Sequence, residues 1–222
     1  DHAGGVDRQR PPNQRGRRVL TRHHGRVIIR LATAADAAAV RAIYGPVIET
    51  TATSFDLVVP SEDEMAARIA ERQPAHPWLV AEGIDGQGIL GYAYAGRFSG
   101  RPAYDWSVET SAYIAEPARG RGVGRALYAA LLAVLAAQGY RQAMAGIALP
   151  NQASVRLHEG AGFSPVGVYR AVGWKFGAWH DVAWWQRALV GADGPPPAPT
   201  PLTSLPASTL ATALATRFQE PA

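Results

Sequence analysis

The chain has 222 residues, 47% of them apolar, and a formal net charge of +4 at pH 7. That length and apolar share support one or two domains with a full core, and no run nears the roughly 18 uninterrupted apolar residues of a membrane span. The absence of cysteine excludes an enzyme-bound thioester, a thiolate zinc site and a redox pair, and fits a cytoplasmic protein.

Residues 1–26 hold seven arginines against two acids, a local charge of +5, among Gly and Pro without periodicity. They read as a disordered Arg-rich tail. The tail has no aromatic side chain for a base to stack on, so nucleic acid is not an expected partner. Nor is there an apolar stretch resembling a secretory leader. Residues 27–190 balance 14 basic against 14 acidic groups, so the basic character belongs to the tail.

Order is expected to begin at the β-branched run Val27-Ile28-Ile29-Arg30-Leu31. Thr33 with Asp36 three residues on opens a helix carrying Val40, Ile43, Tyr44 and Val47, which Pro46 should kink or end. A polar loop, Thr50 to Asp56, contains Phe55. The capping box Ser61-Glu62-Asp63-Glu64 starts a second helix running to about Arg72. Two strands, Trp78 to Glu82 and Ile89 to Ala95, flank the turn Asp85-Gly86-Gln87-Gly88. After the loop Arg97 to Pro102, a long strand is expected from about Ala103 to Ala115.

A glycine-rich loop and a helix ending at Gly139 follow. Then come a strand from Tyr140 to Leu149, a short helix from about Gln152 to Gly160, a strand from Pro165 to Trp174 and a last strand from Ala178 to Ala188. Residues 191–222, with five prolines between Pro195 and Pro201, read as a Pro/Ala-rich tail. The order β-α-α-β-β-β-α-β-α-β-β describes one α/β domain over 27–190.

The loop Arg119-Gly120-Arg121-Gly122-Val123-Gly124-Arg125 sets three glycines among three arginines at a helix start. Glycines let backbone N–H groups converge on an anion, the helix N-terminus adds unpaired donors, and arginines add bidentate phosphate donors. These parts make a pyrophosphate site. A P-loop would need Gly-Lys-Ser/Thr, whereas the single lysine is Lys175; a dinucleotide fingerprint would need a third glycine. In the preceding stretch, alternation puts Asp105, Ser107, Glu109 and Ser111 on one face. Glu109 reads either as an edge carboxylate facing water or as a buried general base whose pKa rises among aromatics. His158 reads either as a helix-packing histidine or as a donor to a leaving group.

The spacing Arg119-x-x-Gly122-x-Gly124, with Asn151-x-x-Ser154-x-x-Leu157-His158-Glu159-x-x-Gly162-Phe163, resembles the GCN5-related N-acetyltransferases (GNAT). Tyr104-Asp105-Trp106, Glu109, Leu149-Pro150-Asn151 and Trp179-His180-Asp181-Val182 narrow the likeness to phosphinothricin N-acetyltransferases, over about residues 27–188. The resemblance implies a central mixed, mostly antiparallel sheet with a splayed strand pair and flanking helices. It implies acetyl-CoA as co-substrate, no metal, and attack by an amine in a ternary complex. Tyr113, Ile114 and Ala115 would take the pantetheine arm. Arg119, Gly120, Arg121, Gly122, Val123, Gly124 and Arg125 would take the pyrophosphate, and Asn151 and Ser154 would flank the arm. Glu109 would be the base and His158 would assist. Phe55, Arg101 and Tyr104 would line the acceptor pocket, and homodimers are usual. The family carries a basic residue where this chain has Ser99, which opens methionine sulfone or sulfoximine as alternative acceptors to phosphinothricin. Rivals of another kind are a polyamine acetyltransferase, which would want an acidic pocket, and a non-catalytic acyl-CoA-binding regulator.

Overall fold

The structure, a computed structural model, describes residues 27–84, 86–191, 194 and 196–217; the Arg-rich stretch 1–26 lies outside them. Seven strands form one sheet: β1 (Val27–Leu31), β2 (Trp78–Gly83), β3 (Ile89–Arg97), β4 (Ser107–Ile114), β5 (Gln142–Ala148), β6 (Ser164–Lys175) and β7 (Ala178–Ala188). The order across the sheet is β1-β2-β3-β4-β5-β7-β6. Every neighbouring pair is antiparallel except β4 with β5, which is parallel.

The helices are α1 (Ala37–Thr50), α2 (Glu62–Arg72), α3 (Val123–Gln138), α4 (Gln152–Gly160) and α5 (Ala207–Leu214). Alternation along the strands divides the apolar side chains between two cores. On one face Leu79, Ala93, Val108, Ala143, Ala145, Ala183 and Trp185 pack on Leu127, Leu131 and Leu135 of α3. On the other Trp78, Val80 and Tyr92 pack on Val40, Ile48, Met65 and Ile69 of α1 and α2. The α2 start is the expected capping box, with the Ser61 and Glu64 side chains each accepting the other residue's backbone N–H.

The feature that positions the site is a failure of pairing. β4 and β5 share only Ser107↔Gln142, Val108↔Ala143 and Glu109↔Met144, while β4 stays paired with β3 through Ile114. Beyond Glu109 the two parallel strands diverge, as the family resemblance implies.

Three expectations change. Pro46 lies inside α1, which runs on to Thr50. The residue before a proline normally clashes with its ring through Cβ, and that residue is Gly45; burial of Tyr44, Val47 and Ile48 offsets the lost hydrogen bond. The strand expected from Ala103 begins only at Ser107, because Pro102–Tyr104 forms a 3-10 turn. The C-terminal stretch is not only tail: α5 lies on α3, with Leu202 and Ala213 buried against Val134. Gln138 donates to the Thr200 carbonyl at 2.9 Å, and the Trp106 indole to the Pro197 carbonyl at 2.7 Å. The pattern Leu205, Leu210, Leu214 carries that contact, which proline content obscures.

Candidate active site

The splay leaves one edge of β4 open. Ala115 N–H donates to the Leu90 carbonyl of β3 at 2.9 Å, so the backbone groups of Tyr113 and Ala115 face β3 and, by alternation, those of Ile114 and Ala112 face the gap. Of the three residues expected to hold an extended amide arm, Ile114 presents its backbone to the opening. Its carbonyl accepts from Arg119 Nε at 3.3 Å. Tyr113 instead sends its ring into the α1–α2 core, 4.9 Å from the Tyr44 ring and 5.3 Å from Tyr92.

At the mouth of the gap stands the start of α3. Gly120 and Gly122 have φ of 70° and 82°, left-handed values that favour glycine. The first helical bond there is Ala126 N–H to the Gly122 carbonyl, so the N–H groups of Val123, Gly124 and Arg125 have no partner within the helix. Arg119, Arg121 and Arg125 are exposed around them. A Cβ on Gly124 would lie 3.2 Å from Leu157 and 3.7 Å from Ile114, so the missing side chain brings α3, α4 and the end of β4 together. Convergent donors, a helix N-terminus and three cations beside an open strand edge suit a pyrophosphate joined to an amide chain.

Glu109 is the last residue of β4 paired with β5 and is half-buried. Burial pushes its carboxyl above the ordinary range, and the positive charge of Arg72 pulls it part of the way back. Among the described residues no hydrogen bond or ion pair engages that carboxylate. A half-buried carboxylate with a raised pKa at the point of the splay can accept a proton near neutral pH.

His158 is placed differently from a free donor. It is buried, with Nδ1 2.8 Å from the Ser154 carbonyl and 3.3 Å from Ser154 Oγ, and Nε2 2.6 Å from Tyr128 Oη. A carbonyl only accepts, so Nδ1 carries the proton and Nε2 accepts from the Tyr128 hydroxyl. Burial holds the imidazole below its ordinary pKa, opposed by the bond to Ser154. Thr110 Oγ1, which donates to the Met144 carbonyl at 3.1 Å, lies 3.5 Å from the same phenol. The Tyr128–His158 pair therefore ends beside Thr110, where β4 and β5 part. Any proton from His158 would pass through Tyr128. Asn151 caps α4, its side-chain oxygen accepting from Ser154 N–H at 3.1 Å.

The opposite face of the sheet holds the residues expected to line an acceptor pocket. Trp185 and Ala183 point to the α3 core, so Trp184 points the other way, the direction shared by Glu109 and Tyr94. Phe55 stands on the loop between α1 and α2, with its ring against Gly173 of β6. Lys175 Nζ fixes that loop, donating to the carbonyls of Ser54 at 2.7 Å and Asp56 at 3.0 Å. Tyr44 adds bonds of 2.6 Å to Ser54 Oγ and 3.0 Å to the Asp56 carboxylate. Tyr104 is partly exposed; it packs on Phe98, which meets the edge of Trp184 at 5.9 Å. Arg101 is exposed beside it, and Arg97 is tied to Asp105 at 2.7 Å. The structure thus brings Phe55 and the Phe98–Tyr104 pair to one side of β7, and leaves Arg101 at the rim.

Arg72, Tyr128 and Lys175 were invisible as site residues. Arg72 reads as a cation closing a helix, Tyr128 as one apolar position among many, and Lys175 as a strand end. Among the described residues no group of acids and histidines could hold a metal ion, and no helix is long and apolar enough to cross a membrane.

Three comparisons bear on this arrangement. The family model of the acetyltransferase (GNAT) domain matches residues 29–184. A phosphinothricin N-acetyltransferase of Streptomyces viridochromogenes is 45% identical over 161 residues, covering 72% of this chain and 87% of that protein. An L-methionine sulfoximine/L-methionine sulfone acetyltransferase of Salmonella typhimurium is 34% identical over 162 residues, 72% of this chain and 94% of that one. Among solved structures, a GNAT superfamily phosphinothricin acetyltransferase from Sinorhizobium meliloti in complex with AcCoA is 37% identical, with a TM-score of 0.72, covering 77% of this chain and 93% of that one.

Proposed function

Because the chain belongs to the GNAT acetyltransferase family, we propose that it moves an acetyl group from acetyl-CoA to the α-amine of a small polar amino acid. The observation that carries this reading is the half-buried Glu109 at the divergence of β4 and β5, on a strand whose open far end leads to a loop built for a pyrophosphate. Acetyl-CoA supplies an activated acyl group; Arg119 to Arg125 and the Ile114 edge would hold it, with Asn151 and Ser154 flanking the arm. Glu109 takes the proton that the attacking amine must lose, directly or through water. Tyr128, bonded to His158 and 3.5 Å from Thr110 at the splay, would act with His158 as a positioning pair. Phe55, Arg101 and Tyr104 would border the acceptor's side chain.

A second acceptor reading has its own support. Ser99 replaces a base, and Arg97 is neutralised by Asp105, so the loop offers less positive charge to a phosphinate. A sulfone or sulfoximine head, with weaker anionic character, suits it as well as phosphinothricin. The exposed apolar hairpin face, with Val166, Tyr169, Val172, Trp174, Phe176 and Trp179 each more than half exposed, supports a homodimer closed over that face. Light scattering at micromolar concentration tests the dimer: a monomer would remove it.

The test of the activity is release of free CoA thiol from acetyl-CoA across a panel of α-amino acids that includes phosphinothricin and methionine sulfone. Turnover with one or both is expected. Silence across the panel would overturn the proposal.

A further inference from the structure

The end of α2 carries two arginines, Arg68 and Arg72, one turn apart and therefore on one side of the helix. Their partners differ. Arg68 Nη1 is bonded to the Asp56 carboxylate at 3.0 Å. Arg72 reaches across the sheet face instead: its guanidinium carbon lies 4.8 Å from the centre of the Tyr94 ring and 5.9 Å from that of Trp78. Among the described residues no acceptor takes a hydrogen bond from it. A planar guanidinium laid on an aromatic ring is held in orientation while its N–H fork stays available.

The fork ends beside Glu109. A Cβ built on Gly96 would collide with Arg72 Nη1, so the guanidinium occupies the space that a side chain at 96 would fill. Gly96 is the cross-strand partner of Glu109, and partners across an antiparallel pair project to the same face with Cβ atoms about 5 Å apart. Arg72 and Glu109 are thus neighbours, close enough for the arginine's charge to be felt by the carboxyl, yet no ion pair joins them. Two opposite charges on a half-buried face that do not satisfy each other leave room for a ligand carrying both signs. An α-amino acid carries its amine and its carboxylate on a single carbon.

Resting on the acetyltransferase reading above, we propose that Arg72 binds the α-carboxylate of the acceptor and so restricts the enzyme to α-amino acids, setting the amine against Glu109. Gly96 is glycine because the guanidinium passes there. The loop residues Phe55, Arg101 and Tyr104 are then left to read the side chain, which divides recognition of the amino-acid backbone from recognition of its head group.

The experiment compares kcat/KM for L-methionine sulfone, or for L-phosphinothricin should that be the better acceptor, with kcat/KM for the matching carboxamide. It uses saturating acetyl-CoA and wild type, Arg72→Met and Gly96→Ala. For Arg72→Met the amino acid is expected to lose about 10- to 100-fold, the range for a hydrogen bond to a charged group, while the carboxamide changes by about threefold or less. Gly96→Ala, which pushes the guanidinium aside without removing it, should lower the amino acid selectively and less. It also keeps the test alive if Arg72→Met fails to fold. An equal fall for both acceptors, as expected of an arginine that merely closes α2 and packs on Tyr94, would overturn the proposal, as would an unchanged ratio. Wild type that acetylates no α-amino acid overturns the acetyltransferase reading and this inference with it; turnover with an unchanged ratio overturns this inference alone.

Discussion

Removing one oxygen tests the buried chain at the splay. Tyr128 is fully buried and its hydroxyl donates to His158 Nε2 at 2.6 Å. In Tyr128→Phe the ring remains in the α3 core, but His158 keeps an acceptor nitrogen with no donor. Its other nitrogen stays bound to the Ser154 carbonyl, so the ring cannot turn to find one cheaply. Leaving a buried acceptor unpaired costs about 1–3 kcal/mol, which for a chain of this size lowers Tm by roughly 2–12 °C. Urea unfolding at pH 7.5 measures it, where burial keeps the imidazole neutral. A cycle with His158→Leu separates the pair from its surroundings: contacting residues should show a coupling of about 1 kcal/mol or more. The same pair of variants read by turnover should be non-additive, since His158 reaches the site only through Tyr128. A Tyr128→Phe protein as stable as wild type, or strictly additive losses, would refute the network.

Gly122→Ala places a Cβ at φ 82°, costing about 1–2 kcal/mol; the KM for acetyl-CoA should rise with kcat largely kept, as measured by initial rates. Lys175→Met removes both bonds that fix the Phe55 loop, so stability should fall by about 2–3 kcal/mol. The acceptor's KM should rise while that of acetyl-CoA does not, a split seen by varying each substrate in turn. Ending the chain at residue 190 strips Leu202 and α5 from Val134 and Gln138; loss of that apolar burial should cost about 2–5 kcal/mol in urea unfolding, with the pyrophosphate loop untouched.

Much of the fold was legible because its signals are local. The Ser61–Glu64 box, Gly139 after α3 and the two-residue alternation of the strands each act within a few residues, and β1, β2, β3, β6, β7 and α2 appear within about two residues of where they were expected. What was misread depends on packing at a distance. Pro46 is tolerated because α1 buries Tyr44, Val47 and Ile48, and α5 forms because α3 offers Val134. The candidate site divides the same way. The cationic glycine loop and Glu109 carry their chemistry in their own sequence neighbourhood. Lys175 meets Ser54 across 121 residues, Tyr128 meets His158 across 30, and Arg72 meets Glu109 only because β3 presents Gly96 between them.

The central claim is that Glu109 takes the proton of the attacking amine. Its raised pKa means the carboxylate fills only as pH climbs above the ordinary range near 4.5, so kcat/KM should rise with pH through that raised value. The direct measurement is the pH profile of kcat/KM for wild type and Glu109→Gln, with acetyl-CoA and the best acceptor of the panel. The account predicts a fall of about 10²- to 10⁴-fold in the variant near neutral pH, with the Glu109 limb gone from its profile. A variant that keeps both its rate and the wild-type profile would contradict it.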